Sequence, residues 1–188
     1  MKLEPSFFSQ SSLHVARQLI GKYLVTADAA GQIIETEAYH QDEASCHAFG
    51  GKRTPRNQSM FATPGILYVY RIHQVFCLNI STEAEGIGAA VLIRAVVPTP
   101  ESIPVMQKRR PARHIQQLSN GPGKLCQAFG IDRSWDGQTL GQSLWFEERA
   151  ITYADSEISQ TPRIGISRAI DLPWRFVVPK AMQKPAIA

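Results

Sequence analysis

The chain has 188 residues, 44% of them hydrophobic and 19% charged, with a formal net charge of +4 and a pI near 9.1. That length suits one domain with a core of its own, or at most two small ones, and one is expected. The composition describes a folded, soluble protein whose basic excess permits a polyanionic partner without requiring one. Cys46, Cys77 and Cys126 form no C-x-x-C pair and leave an odd count, which points to a reducing compartment. Met1 to Gln10 lacks the charged-then-apolar pattern of a signal peptide, and no apolar run approaches the ~20 residues of a membrane helix. A cytoplasmic protein is expected.

In chain order, Ser11 or Ser12 can cap a helix whose apolar positions Leu13, Ala16, Leu19 and Ile20 share a face, with Gly21 at its end. Residues 22–26 and 32–39 read as two strands joined by Asp28-Ala29-Ala30-Gly31, a hairpin. In its second arm, Ile33-Ile34-Glu35-Thr36-Glu37-Ala38-Tyr39, period-two geometry puts Glu35, Glu37 and Tyr39 on one face. Two carboxylates beside an aromatic on a half-buried strand are costly to desolvate, which points to a functional use. A polar strand face turned to water is the plainer reading, and neither period nor charge separates Glu35 from Glu37.

From His40 to Pro64 periodicity disappears in a long polar loop carrying Lys52, Arg53 and Arg56; loops of this length in compact domains are functional or disordered. Residues 67–72 and 75–80 form a second hairpin broken only by His73-Gln74. Residues 88–97 read as a strand with Arg94 set in its middle. Residues 101–110 suggest a short helix ending in a basic cluster. Asn120-Gly121-Pro122 opens a further helix, with Asn120 as its cap, running to Gly130. Residues 143–147, 163–166 and 174–178 look like strands, and the tail after Pro179 carries no pattern. The fold class expected is mixed α/β (α+β): a single domain, with its core at about 11–179 and a flexible tail at 180–188, built on a curved, largely antiparallel sheet flanked by helices.

Several chemistries drop out. A P-loop fails because Ala16, Cys46 and Leu118 stand where each Gly-Lys pair would need its first Gly. There is no G-x-S-x-G elbow, no H-E-x-x-H and no G-x-G-x-x-G after a strand, and Cys46-His47 lacks the spaced partners of a zinc site. What remains is a concentration of acidic, aromatic and basic side chains between residues 35 and 94. Aromatics stack on bases, cations hold phosphates, and a carboxylate can activate water.

The order of motifs then becomes specific. Ile34-Glu35-Thr36-Glu37-Ala38-Tyr39, Asp42-Glu43-Ala44-Ser45-Cys46-His47, Arg53-Thr54-Pro55-Arg56-Asn57, Met60-Phe61, Pro64-Gly65-Ile66-Leu67-Tyr68-Val69-Tyr70, Cys77-Leu78-Asn79-Ile80 and Gly121-Pro122-Gly123-Lys124-Leu125-Cys126-Gln127-Ala128 together resemble the alkyladenine DNA glycosylase family, the 3-methyladenine DNA glycosylases of the human type. The resemblance spans about residues 13 to 178. It implies a monofunctional enzyme of base excision repair that flips alkylated or deaminated purines out of double-stranded DNA and hydrolyses the N-glycosidic bond, leaving an abasic site. By motif, Glu37 matches the general base that activates water and Arg94 the residue that helps hold that water; Glu35 inherits no role. Tyr39, His47 and Tyr70 match the walls of the base pocket, where a cationic alkylated base would add a cation–π term to stacking. Asn79 matches a residue that screens out guanine, and Ile164-Gly165 the backbone lining the water site.

Lys52, Arg53, Arg56 and Lys124 are the expected contacts to the DNA backbone. No metal or other cofactor is implied; the partner is damaged duplex DNA, met by a monomer in the nucleoid or nucleus. Two departures stand out. The hairpin 70–77 is one residue shorter than the family pattern and lacks its wedge tyrosine, so His73 or Gln74 stands where the vacated space in the duplex would be filled. The chain between Asn79 and Arg94 is about two residues longer, bringing Glu83 and Glu85 toward the expected DNA face. A non-catalytic nucleic-acid binder and a nucleoside hydrolase are the competing readings; Glu37 with Arg94 argues against the first, and the basic segments 52–56 and 108–113 against the second.

Overall fold

The computed structural model describes residues 1–141 and 143–187; Gln142, and the last residue of the expected tail, Ala188, lie outside them. One short turn not foreseen in the sequence, α1 (Pro5–Phe8), sends Phe8 into the core. In α2 (Ser12–Gln18) the Ser11 side chain accepts the His14 N–H, satisfying one of the free donors of the first turn. The first hairpin pairs β1 (Tyr23–Thr26) with β2 (Ala30–His40), and the second pairs β3 (Leu67–Ile72) with β4 (Val75–Ser81), Ile72 facing Val75. After β5 (Ala89–Pro98) come α3 (Ile103–Arg109) and α4 (Pro122–Phe129), the latter closed by Gly130 at φ 71°. The chain ends with β6 (Leu144–Glu147), β7 (Ser159–Thr161) and β8 (Arg175–Val177).

Two local expectations are corrected. The cap of α4 is Gly121, not Asn120; the Asn120 side chain instead accepts from Lys124 Nζ at 2.9 Å. Residues 163–166 are not a strand. Gly165 sits at φ 75° and the Ile164 N–H is taken by a side chain rather than by a neighbouring strand, so the ladder forms just before them, at β7.

Every strand pair is antiparallel, in the order β3-β4-β5-β2-β1-β6, with β7 and β8 branching from β2. This is the mixed α/β fold expected. The eleven residues of β2 let one of its edges serve two partners: β1 as far as Gln32, then β8 from Glu35 to Glu37. The other edge runs along β5, where register shifts flank Glu35. Such irregularities re-aim side chains, and this one leaves Arg94 opposite the interval between Glu35 and Glu37.

Two apolar clusters matter for the site. The larger packs α2 and α4 against the sheet through Val15, Leu19, Ile33, Leu78, Leu125 and Phe129. The smaller, of Cys46, Ala48, Met60, Phe61, Tyr68 and Ala90, ties the long loop to the sheet, with Tyr39 and Tyr70 resting on it. Beyond Pro179 the chain turns back onto the body: the Ile187 N–H donates to Tyr23 Oη at 3.1 Å, and Lys184 to Tyr153 Oη at 3.0 Å. No helix among the described residues is long and apolar enough to cross a membrane.

Candidate active site

The second hairpin, the long loop and the 164–168 segment enclose a cavity of about 650 Å³, within the range of small-ligand sites. Tyr68, Tyr70 and Ile72 alternate onto it from β3, Cys77 and Asn79 from β4, Leu92 and Arg94 from β5, and Tyr39 from β2. His47, Pro122, Ile164, Gly165 and Arg168 are also among the residues of the wall. Six of the residues expected at the base pocket therefore meet here: Tyr39, His47, Tyr70, Asn79, Ile164 and Gly165.

Glu37 lies at the back, completely buried. A carboxylate taken out of water needs donors, and it has three: Tyr39 Oη at 2.8 Å and Arg94 Nη1 at 3.2 Å on Oε2, and the Ile164 N–H at 2.8 Å on Oε1. All three donors belong to cavity-lining residues. Oε1 keeps a lone pair for a fourth partner. Glu35, two residues earlier, accepts Arg94 Nε at 2.8 Å and Arg175 Nε at 2.6 Å. Arg94 thus bridges the two carboxylates, which the strand period alone left indistinguishable. Burial works against the Arg94 charge, but Glu37 and Glu35 outweigh it and raise the pKa.

The aromatic wall is ordered by its own contacts. His47 lies edge-on to Tyr70 with ring centroids 4.7 Å apart, and its Nδ1 is 2.9 Å from Tyr68 Oη. Partial burial, then the Arg56 charge, hold the His47 pKa below its ordinary value, favouring the neutral ring. Burial and the neighbouring Glu37 push the Tyr39 hydroxyl far up, so it stays a donor. Asn79 commits Nδ2 to the Tyr68 and Cys77 carbonyls at 3.0 and 3.4 Å.

No motif in the chain marks the pair that frames this wall. Glu43 and Arg163, 120 residues apart, form a buried two-pronged ion pair at 2.6 and 2.8 Å; Arg163 also donates to the Ala38 carbonyl at 2.9 Å. Its guanidinium lies 4.6 Å from the Tyr39 ring centre and 5.2 Å from that of Trp174. One cation therefore fastens three segments of the cavity: the end of β2, the long loop and the 163–168 turn. Within the loop, buried Asn57 accepts the Thr54 N–H at 2.7 Å and donates to the His47 and Lys52 carbonyls at 2.9 and 3.0 Å. Its side chain replaces the missing ladder.

The expected backbone cations are all exposed. Arg56 lies against Tyr70, 5.1 Å from its ring centre, and Arg53 over Phe61 at 4.5 Å. Lys52 precedes them on the same loop, and Lys124 is two residues past cavity-lining Pro122. His73, at φ 50°, and Gln74 form the exposed hairpin tip. Glu83 turns inward, its Oε1 accepting the Ser12 N–H at 2.9 Å; Glu85 stays exposed.

An aromatic cavity with ample room for a nucleobase, backed by a bonded carboxylate and flanked by exposed cations, suits a protein that acts on a base carried by a polyanion. The model of the methylpurine-DNA glycosylase (MPG) family matches residues 6–182. A Rhodopseudomonas palustris (strain BisB18) protein named "Putative 3-methyladenine DNA glycosylase" is 44% identical, over 93% of this chain and 86% of its own length. Proteins of the same name from Synechococcus sp. (strain JA-3-3Ab) and Agrobacterium fabrum are 47% and 44% identical, over 87% and 91% of this chain and 89% and 86% of theirs. The chain belongs to the methylpurine-DNA glycosylase family, and it is a hydrolase of the DNA N-glycosylase class.

Proposed function

We propose that this enzyme removes alkylated and deaminated purines from duplex DNA, among them 3-methyladenine, 7-methylguanine, hypoxanthine and ethenoadenine, by flipping the nucleotide into the aromatic cavity. Tyr39, His47 and Tyr70 hold the base, Asn79 disfavours guanine, and the hairpin tip at His73 and Gln74 takes up the space left in the duplex. Lys52, Arg53, Arg56 and Lys124 grip the backbone. The enzyme works as a monomer in the compartment that holds the DNA.

Glu37 takes a proton from the attacking water, whose oxygen bonds to C1′ as the C1′–N bond breaks and its electron pair leaves with the purine. The sugar passes through an oxocarbenium-like state, which the same carboxylate stabilises. Arg94 and the backbone at Ile164-Gly165 fix the carboxylate and the water. Among the described residues no lysine lines the cavity, so the product of this reading is an abasic site in an uncut strand.

The burial of Glu37 under donors that all line the cavity is the observation that supports this reading most. Incubation with duplexes bearing each lesion, followed by alkali, tests it. Wild type should yield cleavable sites; Glu37→Gln should lose about 10²-fold or more in rate, as removal of a general base does, with an unchanged circular dichroism spectrum. Equal rates in both proteins would dismiss Glu37 as the base.

A further inference from the structure

We infer that Glu35 is a positioning residue: it holds Arg94 off Glu37, so that the general base keeps a lone pair for the attacking water. The inference rests on the glycosylase reading above and gives a role to the second carboxylate of that strand face. Arg94 donates Nε to Glu35 at 2.8 Å and Nη1 to Glu37 at 3.2 Å, so the tighter of its two bonds is to Glu35. Its Nη2 has no acceptor among the described residues, and Arg94 lines the cavity, which leaves that nitrogen for water or substrate.

Without Glu35 the arrangement has a clear alternative. A guanidinium beside a single carboxylate closes a two-pronged pair of parallel N–H···O bonds, the strongest geometry open to it. Arg94 closing on Glu37 in this way would occupy both carboxylate oxygens and use up Nη2, removing the proton acceptor and the free donor together. Glu35 resists this because it is anchored from the other side. Arg175 Nε donates to Glu35 Oε1 at 2.6 Å and Arg175 Nη1 to Thr161 Oγ1 at 2.9 Å. Arg175 pairs with Glu37 in the β2–β8 ladder and with Thr161 in the β7–β8 ladder, so the backbone fixes the anchor.

Glu35 is also reachable from behind. It lines a second cavity, of about 880 Å³, between residues 114–120 and 177–185, which shares no lining residue with the first. Its Oε2 accepts no hydrogen bond among the described residues. A small carboxylate in solution can therefore approach the Glu35 position without entering the catalytic cavity.

Single-turnover excision from a hypoxanthine-bearing duplex tests the inference. Glu35→Gln should slow the step by about 10- to 100-fold, the scale on which a misplacement of roughly 1 Å acts, with duplex affinity and the circular dichroism spectrum unchanged. In the Arg94→Gln background the same substitution should cost little more, because the residue it acts through is gone. Glu35→Ala should regain rate in formate but not in chloride at equal ionic strength. A Glu35→Gln rate equal to wild type, losses that multiply in the double variant, or a formate effect no different from that of chloride overturns the inference and leaves the glycosylase reading intact. Should Glu35→Gln fail to fold, Arg175→Gln decides, since it removes the anchor and keeps both carboxylates: a slower step at unchanged affinity supports the inference, and a wild-type rate overturns it. Wild type that releases no base from any lesion duplex would instead sink the glycosylase reading, and the inference with it.

Discussion

His47 and Glu43 both titrate below their ordinary values in the folded protein, for opposite reasons. Partial burial, and secondarily Arg56, disfavours the His47 cation. The unfolded chain therefore binds more protons below the ordinary value of 6.5, and stability from this residue falls as pH drops through 6.5 toward the folded value. For Glu43, burial favours the neutral acid, but bonds from Arg163 and Ser45 outweigh it and favour the carboxylate. Its contribution is complete above the ordinary 4.5 and disappears as pH falls through the folded value. Urea midpoints measured from pH 8 to 3 should show an upper step that His47→Asn removes and a lower step that Glu43→Gln removes. Glu43→Gln should also cost about 3 kcal/mol at neutral pH, since it strands the buried Arg163. An unchanged profile in either variant would contradict its assignment.

The β3–β4 hairpin owes its position to the start of α4. A Cβ on Gly123 would stand 2.6 Å from Val75 Cγ2, so helix and hairpin touch through a glycine that no other residue can replace without movement. Gly123→Ala should destabilise the fold by about 1–3 kcal/mol, as overpacking does, and shift the hairpin tip relative to the cavity. Adding Val75→Ala should recover part of that loss in thermal denaturation; no recovery would place the strain elsewhere. Elements of this kind were readable in advance to an instructive degree. Both hairpins, β5 and α4 declared themselves through alternation, turn residues and the Pro-to-Gly span, because those signals act between near neighbours. Arg163 did not, because its partner lies across the molecule and its own segment, Arg163-Ile164-Gly165-Ile166, imitates a strand in composition. Of the site, the motif order could single out Glu37 and Arg94; their joint reliance on Glu35 and the Ile164 N–H required the tertiary fold.

At the scale of the whole molecule, the net charge of +4 is modest, and on the function proposed above the exposed cations beside the cavity would carry the electrostatic part of DNA binding. Affinity for a lesion-bearing duplex should fall linearly on a log–log plot against salt, with a slope reflecting several neutralised phosphates. Arg53→Gln and Lys124→Gln should each flatten it by about one unit; a slope independent of both would place the contacts on another face. The shared edge of β2 has a further consequence, in the timing of hydrogen exchange. Flanked on one side by β5 and on the other by β1 and then β8, the strand carrying Glu37 can be opened only by dismantling the sheet, so the amides of its paired residues should exchange only through global unfolding. The Ile164 amide, bonded to a side chain on an exposed turn, should exchange through a smaller local opening. The carboxylate and the backbone donor that holds it therefore belong to parts of the molecule with different lifetimes.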